Sequence, residues 1–157
     1  MNDSHFCDVL EHMQTLIGNV DGVARCQVKP SDFRNPPDTF NVNINIMAES
    51  NDPVTGSEED DGFGSVSIAP VKNRYSRGLT FEIFRAGENM LPAINLAARC
   101  QKALETDSQL HSMLSKITIE GSVPLFGIGD ADQFVCIALV VSIEYATARG
   151  EPERHLK

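Results

Sequence analysis

Apolar residues near the start of the chain recur at spacings of three and four: Phe6, Val9, Leu10, Met13, Leu16 and Ile17. One stripe of a 3.6-residue period marks an amphipathic helix, which Ser4 or Asp3 can open and Gly18-Asn19 can close. Residues 23–29 read as a short strand ended by Pro30, and a turn-rich stretch, residues 31–38, follows. The period then changes to two. In Phe40-Asn41-Val42-Asn43-Ile44-Asn45-Ile46 the apolar residues fall on one face and the asparagines on the other. That alternation predicts a strand with one buried face and one wet face.

From Ala48 to about Gly64 the chain carries Glu49, Asp52, Glu58, Glu59, Asp60 and Asp61. Like charges this dense cannot pack in a core, so a long acidic loop or the tip of a long hairpin is expected. Val66, Ile68 and Val71 suggest a return strand, and residues 79–85 another, with Leu79, Phe81 and Ile83 on one face. A second helix is expected from Asn89, with Pro92 in its first turn. Its stripe would be Leu91, Ile94, Ala97 or Ala98, Cys100 or Gln101, and Leu104. Asp107 or Ser108 can start a shorter turn carrying Leu110, Met113 and Leu114. Strands at 116–123 and 134–145 close the pattern; the last is so apolar that it should lie centrally, buried on both faces. The tail, 148–157, is polar and expected to fray. The order predicts a single α+β domain over 1–157 with its core at about 5–147. A mainly antiparallel sheet would be packed by the N-terminal helix and the central helix.

Charge narrows the function classes. The chain of 157 residues has a net charge of −9, and such an acidic domain repels a phosphate backbone. Sequence-specific nucleic-acid binding is therefore not expected. No apolar run is long enough to cross a bilayer, and the polar, acidic start predicts no secretory signal. Cys7, Cys26, Cys100 and Cys136 are scattered without paired spacing and read as reduced thiols in or near the core.

Chemistry-bearing patterns are sparse. His5 and His12 stand two turns apart, too far for a helical zinc pair, and read as exposed helix residues. Gly62-Phe63-Gly64 and Gly127-Ile128-Gly129 lack the lysine and hydroxyl that seat a phosphate, so both read as turns. Asp130 and Asp132 are too few for a calcium loop. No serine lies in a nucleophile elbow and no cysteine in an activating context. Neither catalytic residues nor a metal or cofactor is expected, and the chain reads as a non-enzyme. One basic concentration, Lys72, Arg74 and Arg77, follows the acidic stretch. In an isolated chain the segment reads as a solvated hairpin flank; in a self-assembling ring these opposite charges would steer head-to-tail packing.

The order of these segments resembles the tail terminator family of long-tailed bacteriophages, the minor tail protein U type. The resemblance rests on the N-terminal helix, the Pro-bearing lead-in Asn35-Pro36-Pro37-Asp38-Thr39-Phe40-Asn41-Val42 and the basic lead-in Arg74-Tyr75-Ser76-Arg77-Gly78 to Leu79-Thr80-Phe81-Glu82-Ile83. It continues through Thr106-Asp107-Ser108-Gln109-Leu110 to Ile143-Glu144-Tyr145-Ala146-Thr147, and so covers roughly Phe6 to Thr147. The acidic stretch from Glu49 to Asp61 and the end of the chain depart from it.

The resemblance implies a structural virion protein at the head–tail junction, assembled in the host cytoplasm. Such a protein forms a ring, commonly a homo-hexamer, that caps the tail tube and offers the head its attachment surface. Its partners would be tail tube protein and a head-closure or neck protein, with DNA passing through unread. Glu58, Glu59, Asp60 and Asp61 would then face the pore or a rim, and Lys72, Arg74 and Arg77 a neighbouring subunit or the tube. Another neck component, a head-closure or tail-completion protein, is the alternative, and a small enzyme or ligand-binding module is a third reading.

Overall fold

A computed structural model of the protein describes residues 3–55, 70–126 and 133–156. Helix α1 (His5–Gly18) opens at Ser4, whose Oγ accepts the Phe6 amide at 3.2 Å. Phe6, Val9, Leu10, Met13 and Ile17 are buried as the spacing predicts. Strand β1 (Arg25–Val28) pairs parallel with β2 (Asn41–Thr55), and β2 pairs antiparallel with β3 (Pro70–Ala86). Helices α2 (Leu91–Thr106) and α3 (Ser108–Met113) follow, then β4 (Lys116–Phe126), β5 (Phe134–Ala148) and β6 (Glu151–Leu156). Every sheet pairing except β1–β2 is antiparallel, in the order β1-β2-β3-β5-β4 with β6 also on β5. The α+β architecture expected from the sequence is therefore the one observed.

Apolar residues meet in rows across the strands. Val42 lies opposite Ile83, which lies opposite Ile137; Ile44, Phe81 and Leu139 form the next row. These side chains are 5% exposed or less, and each such burial contributes about 1.5–3 kcal/mol. The helices cover this face of the sheet, and α1 and α2 also touch each other. Over the other face folds the connection between β1 and β2. Its Phe33 stacks on Phe134 with ring centroids 4.8 Å apart and meets Phe84 edge-on at 5.3 Å.

Several expectations need correction. First, β2 does not stop near Ile46. It runs through Thr55, and β3 starts at Pro70 rather than near Leu79, because residues 48–55 pair with 70–78; Val66 and Ile68 of the expected return strand lie outside the described residues. The hairpin reading of this region holds; the loop reading of 48–55 does not.

Second, α2 is rotated from the expected stripe. Ala93, Leu96, Ala97, Cys100 and Leu104 are buried, whereas Leu91 and Ile94 are 67% and 50% exposed. The buried face carries Ala93, Ala97 and Cys100 together with Leu96 and Leu104, and it packs on the sheet and on α1.

Third, the tail does not fray. Beyond the Arg149-Gly150 turn, where Gly150 takes φ 79, β6 returns along β5. It occupies the edge of β5 that β4 leaves free beyond Glu144. Fourth, Asn43 is not on a wet face but 1% exposed, and Cys7 is exposed while Cys26, Cys100 and Cys136 are buried.

Candidate functional site

Among the described residues, polar and aromatic chemistry concentrates where α1, β3, β5 and β6 meet. His5 is 5% exposed, and its Nε2–H donates to the Met113 carbonyl at 2.7 Å. His155, on β6, donates through Nδ1 to the Ala146 carbonyl at 3.1 Å and stacks on His5 with centroids 4.4 Å apart. Tyr145 meets His5 edge-on, stacks with Tyr75 and Phe6, and accepts a 2.7 Å hydrogen bond from Arg77 Nε. The Arg77 guanidinium lies 4.0 Å above the Phe6 ring. A cation held on a ring face and fixed by a phenol is both a cation–π contact and a charge-assisted hydrogen bond. The cluster ties α1 and the final strand to the sheet.

A second polar junction joins α1 to the start of α3. His12 Nε2 lies 2.6 Å from Asp107 Oδ2, and the same oxygen accepts the Leu110 amide at 2.8 Å. Asp107 is thus the N-cap of α3. The His12 hydrogen bond, with the Leu110 amide second, holds its carboxyl below the usual aspartate range. His5 and His12 are therefore not exposed helix residues: each fastens α1 to the segment around α3.

On the opposite face of the sheet, Glu82 is 5% exposed and stands directly across from Asn43. Its Oε2 accepts the Ser31 hydroxyl at 2.5 Å, and Ser31 Oγ also accepts Asn45 Nδ2 at 3.2 Å. Burial pushes the Glu82 carboxyl up, and the Ser31 hydroxyl offsets part of that rise. Glu82 Oε1 and Asn43 Nδ2 have no hydrogen-bond partner among the described residues. Burial likewise raises the thiols of Cys26, Cys100 and Cys136 to about 12. At neutral pH they are protonated and unreactive.

The structure separates the site residues predicted from sequence. Glu58, Glu59, Asp60 and Asp61 lie outside the described residues, as do the two glycine turns with Asp130 and Asp132. Lys72, Arg74 and Arg77 all lie on β3, between β2 and β5. Alternation sends Lys72 and Arg74 to the face of Glu82 and Arg77 to the helix face, so they form no single basic patch. Only alternation within Tyr75-Ser76-Arg77-Gly78-Leu79 carried a sign of this, since it places Arg77 on the same face as Leu79. Nothing in the sequence marked the His5–His155 stack, whose members are 150 positions apart.

Among the described residues no group of three or more His, Cys, Asp or Glu side chains is placed to hold a metal ion. No helix among the described residues is long and apolar enough to cross a membrane. Shallow hollows open among the described residues beside β1–β2 and beside α2. One, of about 250 Å³, is lined by Val28, Pro30, Ile44 and Ile46 among others; the second, of about 200 Å³, lies between α2 and β4–β5. Both fall below the roughly 300–1,000 Å³ usual for small-molecule sites. Compared with models of known protein families and with curated proteins, the chain matches none.

Proposed function

We propose that this protein is a tail terminator: a structural virion subunit that forms a ring on the head-proximal end of a phage tail tube. The ring stops tube polymerisation and gives the head its docking surface. One observation carries the reading, the order and spacing of segments from Phe6 to Thr147 that resembles the tail terminator family. Fold order alone does not fix function, so the reading rests on that likeness.

Capping needs no covalent chemistry. It needs a ring whose two faces differ, so that one matches the last tube ring and the other cannot accept the next tube subunit. Heterologous cyclic packing gives two different faces by construction. The acidic stretch Glu58-Glu59-Asp60-Asp61 at the pore would let DNA pass without adhering.

Size-exclusion chromatography with light scattering, alone and then with tail tube protein, tests this. A ring that binds tube ends and halts their growth, as seen by electron microscopy, is expected. A protein that binds no tube end as a ring or as a monomer sinks the reading, and binding to a portal-side adaptor instead would assign it to another neck component.

A further inference from the structure

Two lengths of strand have a partner on one side only. Strand β4 pairs with β5 and, among the described residues, with nothing on its other edge. Strand β1 covers β2 only as far as Ile44, where the Lys29 amide makes the last bond and Pro30 follows. Residues 45–55 of β2 therefore have β3 on one side and no strand on the other among the described residues. The two free edges lie on opposite sides of the sheet and are similar in length, since β4 spans 11 residues.

The exposed large apolar side chains gather at these same edges. Among the described residues they are Ile46, Met47, Leu91, Ile94 and Val123. Ile46 and Met47 stand on the free length of β2, and Val123 stands on β4. Ile94 lines the hollow with Ser122 of β4, and Leu91 is one turn away on the same helix. An unpaired edge presents a row of backbone donors and acceptors, a template on which another extended segment can pair. Apolar side chains along it add an attraction that water does not supply.

We propose that β4 of one molecule pairs with residues 45–55 of β2 in a second copy, with Ile46 and Met47 of one packed against Val123 and Ile94 of the other. Each molecule brings both halves of the contact on opposite sides of its sheet. The contact is therefore heterologous: it leaves one free edge at each end of a growing row and closes when the row forms a ring. The bulges at Met47 and Glu120, and Pro124 on β4, keep either edge from pairing indiscriminately. They also fix the register in which a matching edge can pair. This inference takes ring closure from the function proposed above; the edge pairing itself stands on the strands alone.

Two variants test it, Met47→Lys and Val123→Lys, each a charge placed at an exposed position with the fold checked by circular dichroism. Sedimentation velocity of the full chain over a range of concentrations is expected to show self-association. Each variant alone should associate about tenfold more weakly or worse, the scale for a charge forced into an apolar contact. Mixed in equal amounts, the two should form a dimer and grow no further, because each retains the edge the other has lost. Hydrogen exchange on the assembled wild type should show added protection in Lys116–Phe126 and residues 45–55.

Assembly left intact by both variants, or a mixture that forms no dimer, overturns edge pairing and leaves the ring reading standing. A chain that stays monomeric at every concentration also overturns it, and tube capping remains a separate measurement. A protein that pairs through these edges but caps no tube upholds the inference and sinks the function.

Discussion

The Asp107 carboxylate caps α3 through the Leu110 amide and takes the His12 ring on the same oxygen. Its pKa is held below the unfolded value of about 3.9. The stability it contributes is therefore present above that pH and lost as pH falls through the lowered folded value. Asp107→Ala should cost about 1–2 kcal/mol at pH 7, and the difference should shrink on acidification below about pH 4. Urea melts at pH 7 and pH 3 check both parts. Glu82 has the opposite sign. Burial raises its folded pKa, so the proton is favoured in the folded state and stability is lost as pH rises through that raised value. Glu82→Gln keeps an acceptor for Ser31 and removes the ionisable group, and should stabilise the protein at pH 7 by about 1 kcal/mol. The gain should vanish below about pH 4, where Glu82 is already neutral in both states. A thermal melt showing Glu82→Gln less stable than wild type at pH 7 would mean that the ionised carboxylate is required there.

At the scale of elements, the legible parts of the fold were those whose pattern is local. The stripe of α1 and the apolar run of β5 predict their own burial, because period and composition agree with the final environment. The outer lengths of β2 and β3 were not legible, since Ser, Asn, Asp, Lys and Gly have little strand preference. Those residues are extended because each strand supplies the other's backbone partners, a non-local cause. Strand β6 is likewise polar, and only the free edge of β5 and the ring of His5 give it a place. Arg77 joins these elements by lying on Phe6 of α1 while bonding Tyr145 of β5. Arg77→Met keeps much of the packing but removes the charge and the hydrogen bond. It should cost about 1–3 kcal/mol in equilibrium unfolding. Hydrogen-exchange protection should fall first in α1 and β6. Arg77→Lys should restore little, because an ammonium cannot lie flat on the ring and reach the phenol with one fixed fork.

For the whole molecule, two forces proposed for self-association respond to salt in opposite directions. If complementary charge held neighbouring copies, with the basic residues of β3 against the acidic stretch of the next subunit, added salt would weaken assembly. The placement of those residues speaks against that as the main force. Lys72 and Arg74 face one side of the sheet and Arg77 the other, where it is already engaged with Phe6 and Tyr145. Edge pairing through Ile46, Met47, Val123 and Ile94 needs no opposite charges. It brings together molecules that each carry −9, and like charge opposes their approach. Raising ionic strength from about 0.05 M to 0.5 M shortens the screening length from roughly 14 Å to 4 Å and removes most of that repulsion. Backbone pairing and apolar contact are left nearly unchanged. The weight-average mass in sedimentation equilibrium should therefore rise with salt at fixed protein concentration. The double variant Met47→Lys, Val123→Lys should show no such rise, since screening cannot restore contacts that have been blocked. A mass that falls with salt in the wild type would instead assign the association to charge pairing, and the edges would then need another partner.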